Sequence, residues 1–301
     1  MLRKVGLTLI LCLIPFGKGN GITSINTEVV NKSIVFFYAA DASGKVMPAQ
    51  LVATGFLIGV PKKNTSLGYR IIVTARHVVD PVWAGCGGIN PQRLYVRVNT
   101  KQYDPQKDDT GVAYLPLDLI KDGMEQWAKS DDDAADAAIL PVPGDIGDYD
   151  VQAISFREFA RPEEAAKLGP GSQIASNGLV PGLAGQKRNY PVFKFGKIAS
   201  IPDELIPSQC GPGTPARNLK VWVLGANLVP GNSGSPIYFD PLVPPGGIIT
   251  TGEPRAMIIG LQSLSFIGAD LAGMTPAKYI VELISKTLPP DADLTLGPPP
   301  Q

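Results

Sequence analysis

Residues 71–79 read IIVTARHVV: three β-branched residues, then Thr74, Ala75 and Arg76, then His77, the only histidine of the 301-residue chain. Side chains branched at Cβ fit a pleated, buried surface, so the run predicts a core strand with the imidazole just past its end. Short runs of the same kind lie on both sides of it, bounded by Gly, Pro, Asn and Asp. They fall at 33–40, 51–60, 69–74, 94–99, 112–117 and 137–142, and again at 173–177, 190–201, 220–224, 235–239 and 256–264. Helical patterns are few. Residues 162–168 open on Pro162 and stop at Gly169, and residues 275–288 place Ala277, Ile280, Val281, Ile284 and Leu288 on one stripe. In the second helix Thr275 is the expected cap and Pro276 the first residue. Many short strands and one late amphipathic helix predict an all-β barrel or sandwich. The Asp- and Pro-bearing stretch 141–150 divides the strands into two sets.

Two further segments carry groups that can act with the histidine. Residues 136–140 read DAAIL, an acid followed by a small apolar run, and residues 231–236 read GNSGSP, a serine in a glycine-flanked turn. A serine hydroxyl is a poor nucleophile until a base takes its proton, which an adjacent imidazole does near neutral pH. The imidazole needs an acid on its other nitrogen to fix its tautomer. The oxyanion that forms on attack needs backbone donors, and the turn offers the amides of Gly231 and Ser233. His77, Asp136 and Ser233 supply these parts. Each has a plainer reading: a structural histidine, a turn serine, a solvated acid in the run Asp131, Asp132, Asp133 and Asp136. The same run invites a calcium reading, but the alternating Asp-x-Asp-x-Asp-Gly loop is missing.

Together these segments resemble the three signature regions of the trypsin-like (chymotrypsin-fold) serine proteases: Thr-Ala-x-His, Asp-x-Ala-hydrophobic-Leu and Gly-Asn/Asp-Ser-Gly-Gly/Ser-Pro. The likeness runs from about residue 33 to 288. It implies two six-stranded antiparallel β-barrels and a C-terminal α-helix, with His77 and Asp136 in the first barrel (21–145) and Ser233 in the second (146–288). It also implies an endopeptidase that forms an acyl-enzyme on protein or peptide substrates, without cofactor or metal. In trypsin an aspartate precedes the nucleophile and pairs with a newly cut amino terminus. Here Asn232 carries no charge for such a pair, which is similar to bacterial HtrA (Deg) proteases, although no PDZ domain is expected. The resemblance puts Asn227 near the base of the primary specificity pocket, and Ser263, Leu264 and Ser265 along a wall that pairs with the substrate backbone. An uncharged Asn227 favours cleavage after neutral residues. Arg76 stands where many relatives have a small residue.

The chain's composition sets the remaining bounds. Apolar residues make up 44% and charged residues 18%, enough apolar material for a core. Lys+Arg and Asp+Glu both number 27 with no basic face, so no nucleic-acid partner is expected. Arg3 and Lys4 precede an apolar run from Val5 to Phe16, read as an export signal over 1–20, with an uncleaved anchor as the alternative. A soluble, secreted or periplasmic protein is expected. Cys86 and Cys210 then remain, as one disulfide or two free thiols. The Pro-rich 289–301 is expected to lie on the surface or fray. Two other functions stay open: a binding protein that keeps the fold without catalysis, and a protease restricted to itself or one partner.

Overall fold

The computed structural model describes the backbone of residues 11–13 and, with side chains, residues 26–107, 110–211, 213–240, 255–266 and 268–297. Helix α1 (Thr27–Ser33) comes first, capped by Asn26, whose side chain accepts from the Val29 amide. Seven strands follow: β1 (Ile34–Ala40), β2 (Val46–Pro61), β3 (Leu67–Thr74), β4 (Arg93–Asn99), β5 (Val112–Asp118), β6 (Ala128–Lys129) and β7 (Ala138–Pro141). The short helix α2 (Arg76–Val79) interrupts them after β3. They lie in the order β5-β4-β1-β2-β3-β7-β6, each neighbouring pair antiparallel.

Beyond helix α3 (Pro162–Ala165) come β8 (Gln173–Gly178), β9 (Val192–Ser200), β10 (Ile206–Ser208), β11 (Arg217–Leu219), β12 (Trp222–Gly225), β13 (Pro236–Phe239), β14 (Met257–Phe266) and β15 (Leu271–Pro276), then helix α4 (Ala277–Thr287). Six of these close a barrel in the order β8-β9-β12-β15-β14-β13, while β10 and β11 form a separate hairpin. A mostly β chain with a closed six-stranded barrel and a C-terminal helix is the architecture that the resemblance implies.

Three details depart from the expectations. The N-terminal sheet has seven strands in its path, and among the described residues no ladder joins β5 to β6. The chain between them instead folds on itself as a small hairpin, Ile120–Lys121 against Met124–Glu125, turning at Asp122 and Gly123 with φ of 52° and 73°. The strand β15 was hidden by its Gly273 and Pro276. Thr275 therefore does not cap a helix: it is buried in β15, its hydroxyl donates to Ser263 Oγ at 3.1 Å, and Pro276 holds the cap position. Finally, the C-terminal stretch does not fray as far as Gly297. The Asp293 amide donates to Pro61 O at 2.7 Å, Tyr69 Oη donates to Asp291 Oδ1 at 2.5 Å, and Ala292 is buried. Residues 298–301 lie outside the described residues. So does the 1–20 signal, apart from Leu11–Leu13, which runs antiparallel to residues 67–69.

The larger core belongs to the N-terminal sheet, around the fully buried Phe36, Phe37, Phe56, Phe156 and Phe159. Helix α4 packs into this core, burying Ile280, Leu283 and Ile284 in the same cluster as Ile258 and Leu261 of β14. At about 1.5–3 kcal/mol for each such side chain, the helix ties the C-terminal half firmly to the first sheet. Ile154–Ser155 also runs parallel to residues 58–59 of β2, so the first layer extends past the stretch 141–150. Among the described residues no helix is long and apolar enough to cross a membrane.

Candidate active site

Strand register brings the histidine and the acid together. Ala138 of β7 lies opposite Thr74 of β3, so the residues just before β7 meet those just after β3. Asp136 Oδ1 accepts from the His77 amide at 2.9 Å, and Asp136 Oδ2 lies 2.7 Å from His77 Nδ1. A carboxylate can only accept, so Nδ1 carries the proton and Nε2 keeps a free lone pair. Asp136 is 1% exposed, whereas 23% of the His77 side chain stays open. Burial of the ring opposes its charge, but the Asp136 carboxylate and its hydrogen bond prevail and raise the His77 pKa above its ordinary value.

The nucleophile turn is held by the first sheet. Gly231 and Gly234 have φ of 98° and 86°, in the left-handed region that favours glycine. A Cβ at Gly234 would also stand 2.1 Å from Thr54 O and 2.3 Å from Thr74 Oγ1. Thr54, in the middle of β2 and fully buried, is the fastening point. Its amide donates to Ser233 O at 2.9 Å, and its hydroxyl donates to Gly231 O at 2.8 Å and accepts from the Leu179 amide at 3.1 Å. Gly234 donates to Gln262 O at 2.8 Å, and Ser235 to Asn232 O at 2.7 Å. Among the described residues the amides of Gly231 and Ser233 donate to no protein acceptor. Asn232, 1% exposed, is fully engaged: Nδ2 donates to Leu179 O at 2.6 Å, and Oδ1 accepts from the Val229 amide and from Lys194.

His77, Asp136 and Ser233 line one cavity of about 210 Å³. Trp83, Arg217, Cys210, Pro230, Ser263, Leu264 and Ser265 are among its other lining residues. No hydrogen bond joins the Ser233 hydroxyl to the His77 ring among the described residues. Of the residues expected to read the substrate, Ser263–Ser265 thus stand with the triad. Asn227 does not: it is exposed, lies outside this cavity, and donates to Asp270 Oδ1 at 2.9 Å. A second cavity, about 610 Å³, shares Pro230 with the first and reaches Gly231. Tyr38, Leu51, Val52, Leu179, Pro181 and Ala184 contribute to a lining without a charged side chain. A third, about 620 Å³, lies between α3 and α4 and touches none of the triad residues.

One wall had no signal in the sequence. The Trp83 ring lies between two guanidinium groups, Arg76 at 4.2 Å and Arg217 at 4.3 Å from its centroid. Asp133 accepts from Trp83 Nε1 and Arg76 Nη1, both at 2.9 Å, and pairs with Arg217. Burial opposes the charge of Asp133, but these hydrogen bonds and the two cations hold its pKa below the usual carboxylate range. Cys86 and Cys210, with Cα atoms 5.1 Å apart, join the same loop and hairpin by a disulfide. The unusual Arg76 thus belongs to a strap across the cleft, and it also pairs with Asp80 at 3.1 Å. The acidic run is taken up by cations: Asp131 by Lys286, Asp132 by Lys220 at 2.6 Å, Asp133 by the two arginines. Thr54, Trp83, Arg217 and Lys194 are the residues that sequence reading missed.

No family model matches the chain, and no curated protein matches it. Solved structures do. The protease domain of MamO from Magnetospirillum magneticum, in its apo form, is 15% identical over 84% of this chain and 96% of that chain, with a TM-score of 0.48. The active form of the Rv3671c protease from M. tuberculosis is 18% identical over 92% and 94%, at 0.41. A serine endoprotease from Yersinia pestis is 14% identical over 87% and 64%, at 0.46. Likenesses this distant carry no argument about activity, which rests on the geometry of the site.

Proposed function

We propose that this chain is an exported serine endopeptidase that hydrolyses peptide bonds through an acyl-enzyme. The observation that carries the reading is the two-point clamp of Asp136 on His77, in a cavity that Ser233 also lines. With Nδ1 held by the carboxylate, Nε2 is the nitrogen that takes the Ser233 proton as the hydroxyl attacks the peptide carbonyl. Substrate binding closes the gap between ring and hydroxyl, since catalytic hydrogen bonds often tighten only in the complex. The free amides of Gly231 and Ser233 stabilise the oxyanion. The protonated ring then gives its proton to the leaving amine, and water repeats the sequence on the ester.

The substrate backbone pairs along Ser263–Ser265, as an added strand beside β14. Pro230, Ser263, Leu264 and Ser265, which bring no charge to the cavity, favour a neutral residue before the scissile bond, and the uncharged cavity beyond Gly231 favours apolar residues after it. Export is supported by the positive n-region and apolar run of the leader, and by a disulfide that an oxidising compartment preserves. A peptide-library digest by the wild type beside Ser233→Ala tests activity and preference together. Cleavage confined to the wild type, after uncharged residues, is the expected result. Identical digests from both proteins would refute the reading.

A further inference from the structure

Between β12 and the nucleophile, residues 227–232 form a loop that ends in the proposed oxyanion amides, and one cation from another strand grips both ends of it. Lys194 of β9 donates from Nζ to Asn227 O at 2.7 Å and to Asn232 Oδ1 at 3.3 Å. We infer that Lys194 is a positioning residue: its ammonium fastens the start of this loop to its end and so fixes the direction of the Gly231 and Ser233 amides. The inference rests on the proteolytic reading above.

Thr54 holds the end of this loop at Gly231 O and Ser233 O, and Lys194 joins that end to the loop's start. The loop backbone holds itself by little more than Leu228 N to Ala226 O and Asn232 N to Val229 O, at 2.9 and 3.0 Å. Gly231 follows Pro230 with φ of 98°, and a glycine peptide turns over at small cost. Asn232 Oδ1 accepts from Val229 and Lys194 together, so the side chain next to the nucleophile is set from inside the loop and from the neighbouring strand. The placement is poor for stability alone. Among the described residues no carboxylate pairs with Lys194, and burial pulls its pKa below the ordinary lysine value. Two neutral carbonyl-type acceptors recover only part of the hydration that the ammonium loses. What they gain is a pair of charge-assisted bonds, stronger than neutral ones, directed at the two ends of the loop.

The test compares wild type, Lys194→Met and Lys194→Arg for kcat and KM on a cleaved peptide, for the rate of Ser233 labelling by a fluorophosphonate, and for thermal melting. Methionine keeps an unbranched stem and removes the donors, whereas arginine keeps charge and donors. The expected result for Lys194→Met is a kcat and a labelling rate roughly 10- to 100-fold lower, with KM within about 3-fold and melting near wild type. Lys194→Arg restores most of the rate. If Lys194→Met does not melt cooperatively, Lys194→Gln takes its place with the same expected split. A neutral variant that labels and turns over at the wild-type rate overturns this inference alone, and so does an arginine variant as slow as the methionine one. A wild type that never labels overturns the proteolytic reading, and this inference with it.

Discussion

The backbone amide of Thr54 donates to the carbonyl of Ser233 at 2.9 Å, across 179 residues of sequence between the first sheet and the nucleophile turn. The Thr54 hydroxyl adds a bond to Gly231 O, so one residue of β2 holds, by its amide and its side chain, both residues whose amides are free for an oxyanion. The nucleophile is therefore positioned by the sheet that carries the histidine.

Thr54→Val tests that fastening. Valine fills the same space but leaves Gly231 O and the Leu179 amide without their buried partner. Each loss costs about 1–3 kcal/mol, so the urea midpoint should fall and kcat should drop further than KM changes. Thr54→Ser keeps the hydroxyl and should retain most of both.

Asp136→Asn should lower kcat/KM by about 10⁴-fold, since asparagine does not hold the tautomer that leaves Nε2 free. In the wild type the base must be neutral, so kcat/KM rises with pH through a His77 pKa above 6.5. The stability linkage runs the other way. The folded pKa is raised, so the gain from the His77–Asp136 pair is complete below the unfolded pKa and is lost as pH rises through the folded one. Kinetics and melting as functions of pH, in both proteins, check the two signs.

How much of this the sequence carries depends on how local each feature is. The triad segments are legible because each sits at a strand end with its own small-residue signature, as in residues 231–236. The strand β15 is not, because Gly273 and Pro276 read as breaks, although packing against β14 and β12 makes them part of the barrel. The strap is invisible for another reason: Trp83 and Arg217 stand 134 residues apart, and nothing near either one announces the other. Lys194 and Asn232 pose the same difficulty. Asn227 lies outside the triad's cavity because a count back from the nucleophile does not carry the loop's own path.

The disulfide between Cys86 and Cys210 spans 124 residues and anchors that strap. A Cys86→Ser, Cys210→Ser double variant should lose about 2–4 kcal/mol of stability in chemical denaturation. It should also bind peptide substrates more weakly, because Trp83, Arg217 and Cys210 line the cleft.

Acid stability should report on Glu164. Burial opposes its charge, but bonds from Arg161 and Arg255 bring its pKa to about 2. The folded pKa is depressed, so its contribution is present above the unfolded value of 4.5 and is lost as pH falls towards 2. Glu164→Gln should lower the melting temperature at neutral pH and show a flatter melting profile between about pH 5 and 2, the window that the shift defines.

The central claim is that His77, held by Asp136, activates Ser233, and intact-mass analysis after fluorophosphonate treatment tests it most directly. One adduct per wild-type chain, mapped to Ser233, is expected, and none on Ser233→Ala or His77→Ala under the same conditions. A folded wild type that takes no adduct at neutral or mildly alkaline pH, or a His77→Ala protein that labels as fast as the wild type, would contradict it.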